Sequence, residues 1–335
     1  MNSPRTVPAR HLSRRSALAA ATLAALASLP AAPAFAQSFP DKPITFVVPF
    51  AAGTATDQIA RALANGVTNE SKQAVVIDNR AGASGFIASQ QVAKAAPDGY
   101  TVLITTNTTH AANEHLFKKL PYDPVKDFAP IAALGKGGQI MVVNMASPAK
   151  SVGEFIAMAK KQPGKYSFGS GSSSSRMAGE LLQQMADVKL LHVPYKSNTL
   201  GVTDLLGGQI NTMITDTATG LPQVKANKLR ALGMSSAKRS PLAPDVPTIA
   251  EAGVPGYEMG YWFAAYAPAR TPPAVVRKLN ELLVNAARSE AARTGFYEPT
   301  GTEVFTTSPE DLVKFQTAES QKWGRIVKAA GIEAE

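Results

Sequence analysis

The chain has 335 residues, 45% of them hydrophobic, with 34 Lys and Arg against 25 Asp and Glu and a formal net charge of +9. It has no cysteine, which excludes a disulfide framework, a thiolate metal site and a lipid anchor on an N-terminal Cys. Its Lys and Arg residues are scattered, neither blocked nor interleaved with aromatics, so nucleic acid is not an expected partner.

Residues 1–36 read as an export signal. Arg5, Arg10, Arg14 and Arg15 supply four of the nine net positive charges, Ser16 to Leu29 is an uncharged Ala/Leu stretch, and Ala34-Phe35-Ala36 offers small residues for cleavage before Gln37. The apolar part is shorter than the roughly 20 residues a membrane span needs. Arg14-Arg15 after Ser13 is compatible with either twin-arginine or general export. The expected location is the periplasm.

The next run, Ile44-Thr-Phe-Val-Val48 followed by Pro49-Phe50-Ala-Ala-Gly53-Thr54-Ala-Thr56-Asp57, is a strand, a turn and a helix start. Such a turn aims backbone N–H groups at open space and favours an anion. Ile59, Leu63 and Val67 recur at helical spacing, Ala74–Ile77 and Val102–Thr105 read as strands, and a helix is expected from Ser84 to Ala95, stopped by Pro97-Asp98-Gly99. A second set follows: strands at Ile140–Val143, Tyr166–Gly169, His192–Tyr195, Ile210–Thr215 and Leu229–Met234, a helix over Val152–Lys161, and a helix face on Met177, Leu181, Leu182 and Met185. Pro272-Pro273 opens a helix through Arg288 and Pro309 another through Ala330, both expected to pack back on the first domain. The alternation predicts an α/β fold with a mostly parallel sheet covered on both faces. Its expected division is residues 37–140 plus 264–335 as one discontinuous domain and 141–263 as the other.

Enzymatic motifs are lacking. There is no Gly-Lys-Ser/Thr, and Gly169-Ser-Gly171 has Ser174 where a dinucleotide fingerprint needs its third Gly. No Gly-x-Ser-x-Gly elbow occurs, and His110 and His115, five apart, have no metal-ligand spacing. Neither a cofactor nor a metal is expected. The run Ser172–Ser175 could serve a secreted serine hydrolase only if a base came from elsewhere in space, and a loop capping the next helix is the simpler reading. What remains is a set of Gly/Ser/Thr-rich loops after strands: 51–57, 82–85, 105–109, 170–175 and 215–219. Carboxyl ends of parallel strands share a crevice, so these loops are expected to line one cleft.

Several strings make the chain resemble the tripartite tricarboxylate transporter receptors, also called Bug proteins. They are Pro43-Ile44 leading to Pro49-Phe50-Ala-Ala-Gly53 and Thr56-Asp57; Asn79-Arg80-Ala-Gly82; Ala96-Pro97-Asp98-Gly99-Tyr100; Leu120-Pro121-Tyr122-Asp123-Pro124; His192-Val193-Pro194-Tyr195-Lys196; and Asp245-Val-Pro247-Thr248. The resemblance implies a type II periplasmic-binding-protein fold: two α/β domains joined by a hinge, with a ligand cleft between them. It implies a receptor and not an enzyme, a monomer that captures a small organic acid (a di- or tricarboxylate or an aromatic carboxylate) and delivers it to a membrane permease of the tripartite type. A ligand sensor feeding a two-component kinase is the alternative. The residues implied at the ligand are Phe50, Ala51, Gly53, Thr54, Thr56 and Asp57 from the first loop, and Ser170, Gly171, Ser172, Ser173 and Ser174 from the second. Ser84, Thr105, Asn107, Thr215 and Asp216 are their expected neighbours. The chain departs from the pattern at Thr54, where a second Gly is usual, and at Arg176, where a His is usual. An arginine early in a helix is expected to face solvent.

Overall fold

The computed structural model describes residues 39–329 and 331–334. The expected export signal and its cleavage point lie outside them. β1 (Ile44–Val48) is almost wholly buried and pairs in parallel with both β2 (Val75–Asn79) and β3 (Thr101–Thr106). α1 (Ala55–Ser71) connects β1 to β2 and buries Ile59, Leu63 and Val67, the face that the spacing predicts. α2 (Phe86–Ala93) starts later than the expected Ser84, because Ser84 (φ 51°) and Gly85 (φ 86°) occupy the left-handed region, which a right-handed helix excludes.

β4 (Phe128–Asn144) is a 17-residue strand of which only the end was foreseen. Its first part carries Pro130, Gly135, Gly137 and Gly138, poor strand formers. Pairing along β9 (Gly260–Pro268), antiparallel from Phe128↔Pro268 to Gly138↔Gly260, holds that part in the sheet. The second half of the fold is built of α3 (Val152–Lys161), β5 (Ser167–Ser170), α4 (Ser173–Ala186), β6 (Leu191–Pro194), α5 (Asn198–Leu206), β7 (Thr212–Asp216), α6 (Thr217–Lys225) and β8 (Leu229–Met234). The strand order is β2-β1-β3-β9-β4-β7-β5-β6, with β8 also on β4. β1, β2 and β3 are mutually parallel, as are β5, β6 and β7, whereas β4 and β9 run antiparallel to their neighbours. The sheet is therefore more mixed than the helix–strand alternation predicts.

α7 (Pro273–Arg288) packs on α1, so closely at Gly66 that a Cβ there would sit 2.6 Å from that of Ala286. α8 (Pro309–Ala329) packs against β4 and the 108–116 turns, with Leu312 and Trp323 buried. Among the described residues, no helix is long and apolar enough to cross a membrane.

The parallel strands decide where function can lie. β1, β5, β6 and β7 each hand directly to a helix, and each helix is capped by a side chain accepting the N–H three residues on: Thr54, Ser172, Ser197 and Asp216.

Candidate functional site

These four capped N-termini meet. An inner chamber of about 40 Å³ is lined by Thr54, Ala55 and Thr56 at the start of α1, Ser172 and Ser174 at α4, Ser197 and Asn198 at α5, and Asp216 at α6. Phe50, Thr106, Gly171, Tyr261 and Phe263 complete its wall. Each cap residue occupies one first-turn N–H, and helix geometry directs the others out along the axis, toward the chamber. An N-terminus carries about half a positive charge, so several around one small space favour an anion.

The first loop is rigid. Asp57, almost fully buried, accepts from Gly53 N–H (2.9 Å), Arg61 Nε (2.9 Å) and Asn79 Nδ2 (3.0 Å). Burial pushes its carboxyl up, but the hydrogen bonds from Arg61, Gly53 and Asn79 together hold it below its ordinary value. Asn79 Nδ2 also donates to Phe50 O (3.0 Å), and Thr54 Oγ1 to Ala51 O (2.8 Å).

Asn198 ties the second side together. Its Oδ1 accepts Gly171 N–H at 2.9 Å and its Nδ2 donates to Asp216 Oδ2 at 2.9 Å. Asp216 Oδ1 accepts from Thr219 N–H (2.8 Å) and Thr219 Oγ1 (2.7 Å). Its carboxylate and the α6 helix end offset each other, which leaves the N-termini of α1, α4 and α5 as the positive ends facing the chamber. A Cβ on Gly171 would collide with the backbone of Ser197 and Asn198. Only glycine lets these two turns approach.

Beyond Phe50, Gly171 and Ser172, which line both spaces, an outer chamber of about 420 Å³ opens. Its wall includes Pro49, Ser84, Leu116, Phe117, Ser170, Ser173, Arg176, His192, Tyr195 and Lys196. Arg176, expected to face solvent, has a side chain only 21% exposed, its Nε 3.9 Å from Glu180 Oε1. Ser170 Oγ and His192 Nε2 lie 2.7 Å apart. Tyr195 donates its hydroxyl to Asp204 (2.9 Å), and burial followed by that bond pushes its pKa up to about 12.

Of the residues expected at the ligand, the structure brings Phe50, Thr54, Thr56, Gly171, Ser172, Ser174 and Asp216 to the inner chamber, and Ser84, Ser170 and Ser173 to the outer one. Ala51, Gly53, Asp57, Thr105, Asn107 and Thr215 line neither. Gly53 is exposed and its N–H is taken by Asp57; Thr105 Oγ1 is 2.6 Å from Thr109 Oγ1; Asn107 Nδ2 donates to Gly260 O (3.3 Å). Ser197, Asn198, Tyr261 and Phe263 join the site without having been foreseen, and Thr106 was expected only as part of the 105–109 loop. The dipeptide Ser197-Asn198 after a strand carried the same capping signal as the other loops.

The serine run has structural work. Ser172 Oγ caps α4, Ser174 Oγ lies 3.1 Å from it, Ser173 Oγ donates to Asn113 Oδ1 (2.9 Å), and Ser175 Oγ to Ile214 O (2.5 Å). The nearby imidazole stands on Ser170, outside that run. His110 is fully buried, stacked on Tyr266 with centroids 3.9 Å apart, and burial pushes its pKa down to about 3. Among the described residues, no group of three or more His, Asp or Glu could hold a metal ion.

Comparison with known proteins agrees with this architecture. The family model "TctC: Tripartite tricarboxylate transporter family receptor" matches residues 59–332. Protein BugT of Bordetella pertussis is 34% identical over 304 residues, covering 90% of this chain and 93% of BugT. The solved structure of Rhodopseudomonas palustris Rpa4515 with adipate is 35% identical with a TM-score of 0.85, covering 89% of this chain and all of that one. MatC from the same organism, with bound malate, is 31% identical with a TM-score of 0.82, covering 86% of this chain and all of MatC. The family is one of solute receptors, not enzymes, and the two solved neighbours share this chain's α/β fold. The chain belongs to the TctC family of tripartite tricarboxylate transporter receptors.

Proposed function

We propose that this receptor captures a small organic acid by seating one carboxylate in the inner chamber, and that it delivers the acid to a membrane permease of the tripartite type. The observation that carries the reading is the convergence of four helix N-termini, at Thr54–Thr56, Ser172–Ser174, Ser197–Asn198 and Asp216, on one space of about 40 Å³. Each dipole end contributes about 0.3–1 kcal/mol when exposed and up to about 2 kcal/mol when partly buried. The three ends not engaged by Asp216, at α1, α4 and α5, together supply about 1–6 kcal/mol toward the several kcal/mol that desolvating a carboxylate costs. The adipate and malate in the two solved relatives support an organic acid as the ligand class.

The two halves of the sheet, joined through β4 and β9, act as lobes that close on the acid and exclude water, which strengthens each N–H contact. Residues 1–36 direct export to the periplasm. Mass spectrometry of small molecules released from natively purified protein tests the ligand class. A carboxylic acid recovered near one per chain is expected. A neutral or cationic ligand, together with calorimetric silence across a panel of mono-, di- and aromatic acids, would refute it.

A further inference from the structure

Resting on the reading of the inner chamber as the seat of one carboxylate, we propose that Tyr261 is a hinge latch. It is a positioning residue whose hydroxyl ties the two lobes together once the acid is seated and slows the acid's release. β4 and β9 carry the chain from one lobe to the other, and their pairs Gly137↔Tyr261 and Gly138↔Gly260 set three glycines at the crossing. Glycine gives the backbone its widest freedom, so rotation of the lobes concentrates there. The ring of Tyr261 forms part of the inner chamber's wall and also borders a cavity of about 370 Å³ that is lined by Lys136, Gly137, Gly138 and Gly260. One side chain thus touches both the seat and the hinge.

The hydroxyl of Tyr261 lies 3.1 Å from Thr217 Oγ1 and 3.0 Å from Thr302 Oγ1. Thr217 opens α6, directly after Asp216, in the second lobe. Thr302 is held on the other side of the glycines. Its neighbour Glu303 exchanges both backbone hydrogen bonds with Lys136 (2.8 and 3.1 Å), and Tyr297 donates its hydroxyl to Leu134 O (2.6 Å). The bridge therefore spans Gly137 and Gly138. All three side chains are buried, so bulk water does not replace a partner that moves away. Burial pushes the pKa of Tyr261 up to about 12, so the phenol keeps its proton and donates to one threonine while accepting from the other. A Cβ on Gly137 would lie 2.5 Å from Tyr261 Oη, and glycine there is what admits the phenol. Such a bridge tolerates a narrow range of lobe angles, because an O–H···O bond needs its oxygens within about 3 Å. Rotation about the glycines moves Thr217 against Thr302 and breaks it. With Ser173 bonded to Asn113 across the cleft, both contacts of Tyr261 are formed. The latch therefore stabilises the shut form alone, which slows exit of the acid and leaves its entry unaffected.

The test is stopped-flow measurement of adipate, malate and benzoate binding to the wild-type protein, Tyr261→Phe, Thr217→Val and the double variant, with Thr212→Val as control. Tyr261→Phe keeps the ring against the chamber and removes only the bridge. Dissociation should quicken about fivefold or more in each single variant at an unchanged association rate. The double variant should add less than about twofold, because either change alone already opens the latch. Thr212 Oγ1 donates to Val142 O at 2.9 Å and is buried within the second lobe, so Thr212→Val loses a hydroxyl of the same kind away from the hinge. Its dissociation rate should stay within about twofold of the wild type. A merely structural Tyr261 would lower the Tm on substitution and leave dissociation as in that control. Thr217→Val keeps the test open if Tyr261→Phe does not fold. Unchanged dissociation in the folded variants, multiplied effects in the double variant, or equal quickening in Thr212→Val would overturn the latch and leave the carboxylate seat standing. Failure of all three acids to bind the wild-type protein would instead overturn that seat, and the latch with it.

Discussion

Ser173 Oγ donates to Asn113 Oδ1 at 2.9 Å, joining the first turn of α4 to the turn that follows β3. The same Asn113 donates from Nδ2 to Ser84 O (2.9 Å) and Tyr122 Oη (3.2 Å), and it is completely buried. One amide thereby fixes two walls of the outer chamber against each other. Asn113→Ala takes the acceptor from the buried Ser173 hydroxyl and a donor from Tyr122 Oη and the Ser84 carbonyl, and a buried group left unsatisfied costs about 1–3 kcal/mol. Acid affinity should fall about tenfold or more, mostly through faster dissociation, as stopped-flow fluorescence would record. Unchanged dissociation would show that the contact does not brace the cleft.

Gly171 and Gly53 make a contrast that mutagenesis can read. An alanine at Gly171 drives its Cβ into the backbone of Ser197 and Asn198, which cannot yield without parting α4 from α5. Overpacking of that kind costs about 1–3 kcal/mol, and here it also displaces the first-turn N–H groups. Gly53 has φ +81° but nothing within 4 Å of a built Cβ. Gly53→Ala should cost about 1–2 kcal/mol of strain in chemical denaturation and change affinity by less than about threefold. Equal loss of binding in both variants would put Gly53 back at the ligand.

Asn198→Ala removes the acceptor of Gly171 N–H and the amide that partners Asp216. The Asp216 carboxylate then turns its charge on the chamber. Stability should drop by about 1–3 kcal/mol, with acid binding weakened beyond what the lost stability explains. Thermal denaturation with and without ligand separates the two effects, and a ligand-induced Tm shift equal to that of the wild type would contradict the prediction.

Acid should destabilise the protein in two steps. Burial holds His110 neutral down to about pH 3, whereas the unfolded imidazole titrates near about 6.5, so stability is complete above about pH 6.5 and declines below it. Asp57 has a folded pKa below its unfolded value of about 3.9; its contribution is present above that value and is lost as pH falls through the folded pKa. The Tm should be flat from pH 8 to 7 and fall from pH 6.5 toward 4.5, with a shallower fall in His110→Phe. A Tm that rises on acidification would reverse the sign.

The strand-end loops were legible because helix capping is local chemistry: Thr54, Ser172 and their neighbours announce a helix start wherever they stand. Which side chain of a loop faces the cleft was not legible. Thr106 lines the inner chamber and Thr105 does not, and Asp216 does where Thr215 does not, because successive residues of a strand point to opposite faces. Tyr261 and Phe263 come from β9, an unbroken apolar run whose period distinguishes neither strand nor helix, and which reaches the chamber only through its pairing with β3 and β4. Arg176 was misjudged for a related reason. The first turn of α4 borders a chamber and not the bulk solvent, so a position early in a helix gives the arginine limited exposure.

The most direct measurement is a crystal structure with a bound acid. A carboxylate should lie within hydrogen-bonding distance of the first-turn N–H groups of both α1 and α4, inside the space bounded by Phe50, Tyr261 and Phe263. An acid held elsewhere, or one held only by Arg176 and Lys196 with the inner chamber left empty, would contradict the account.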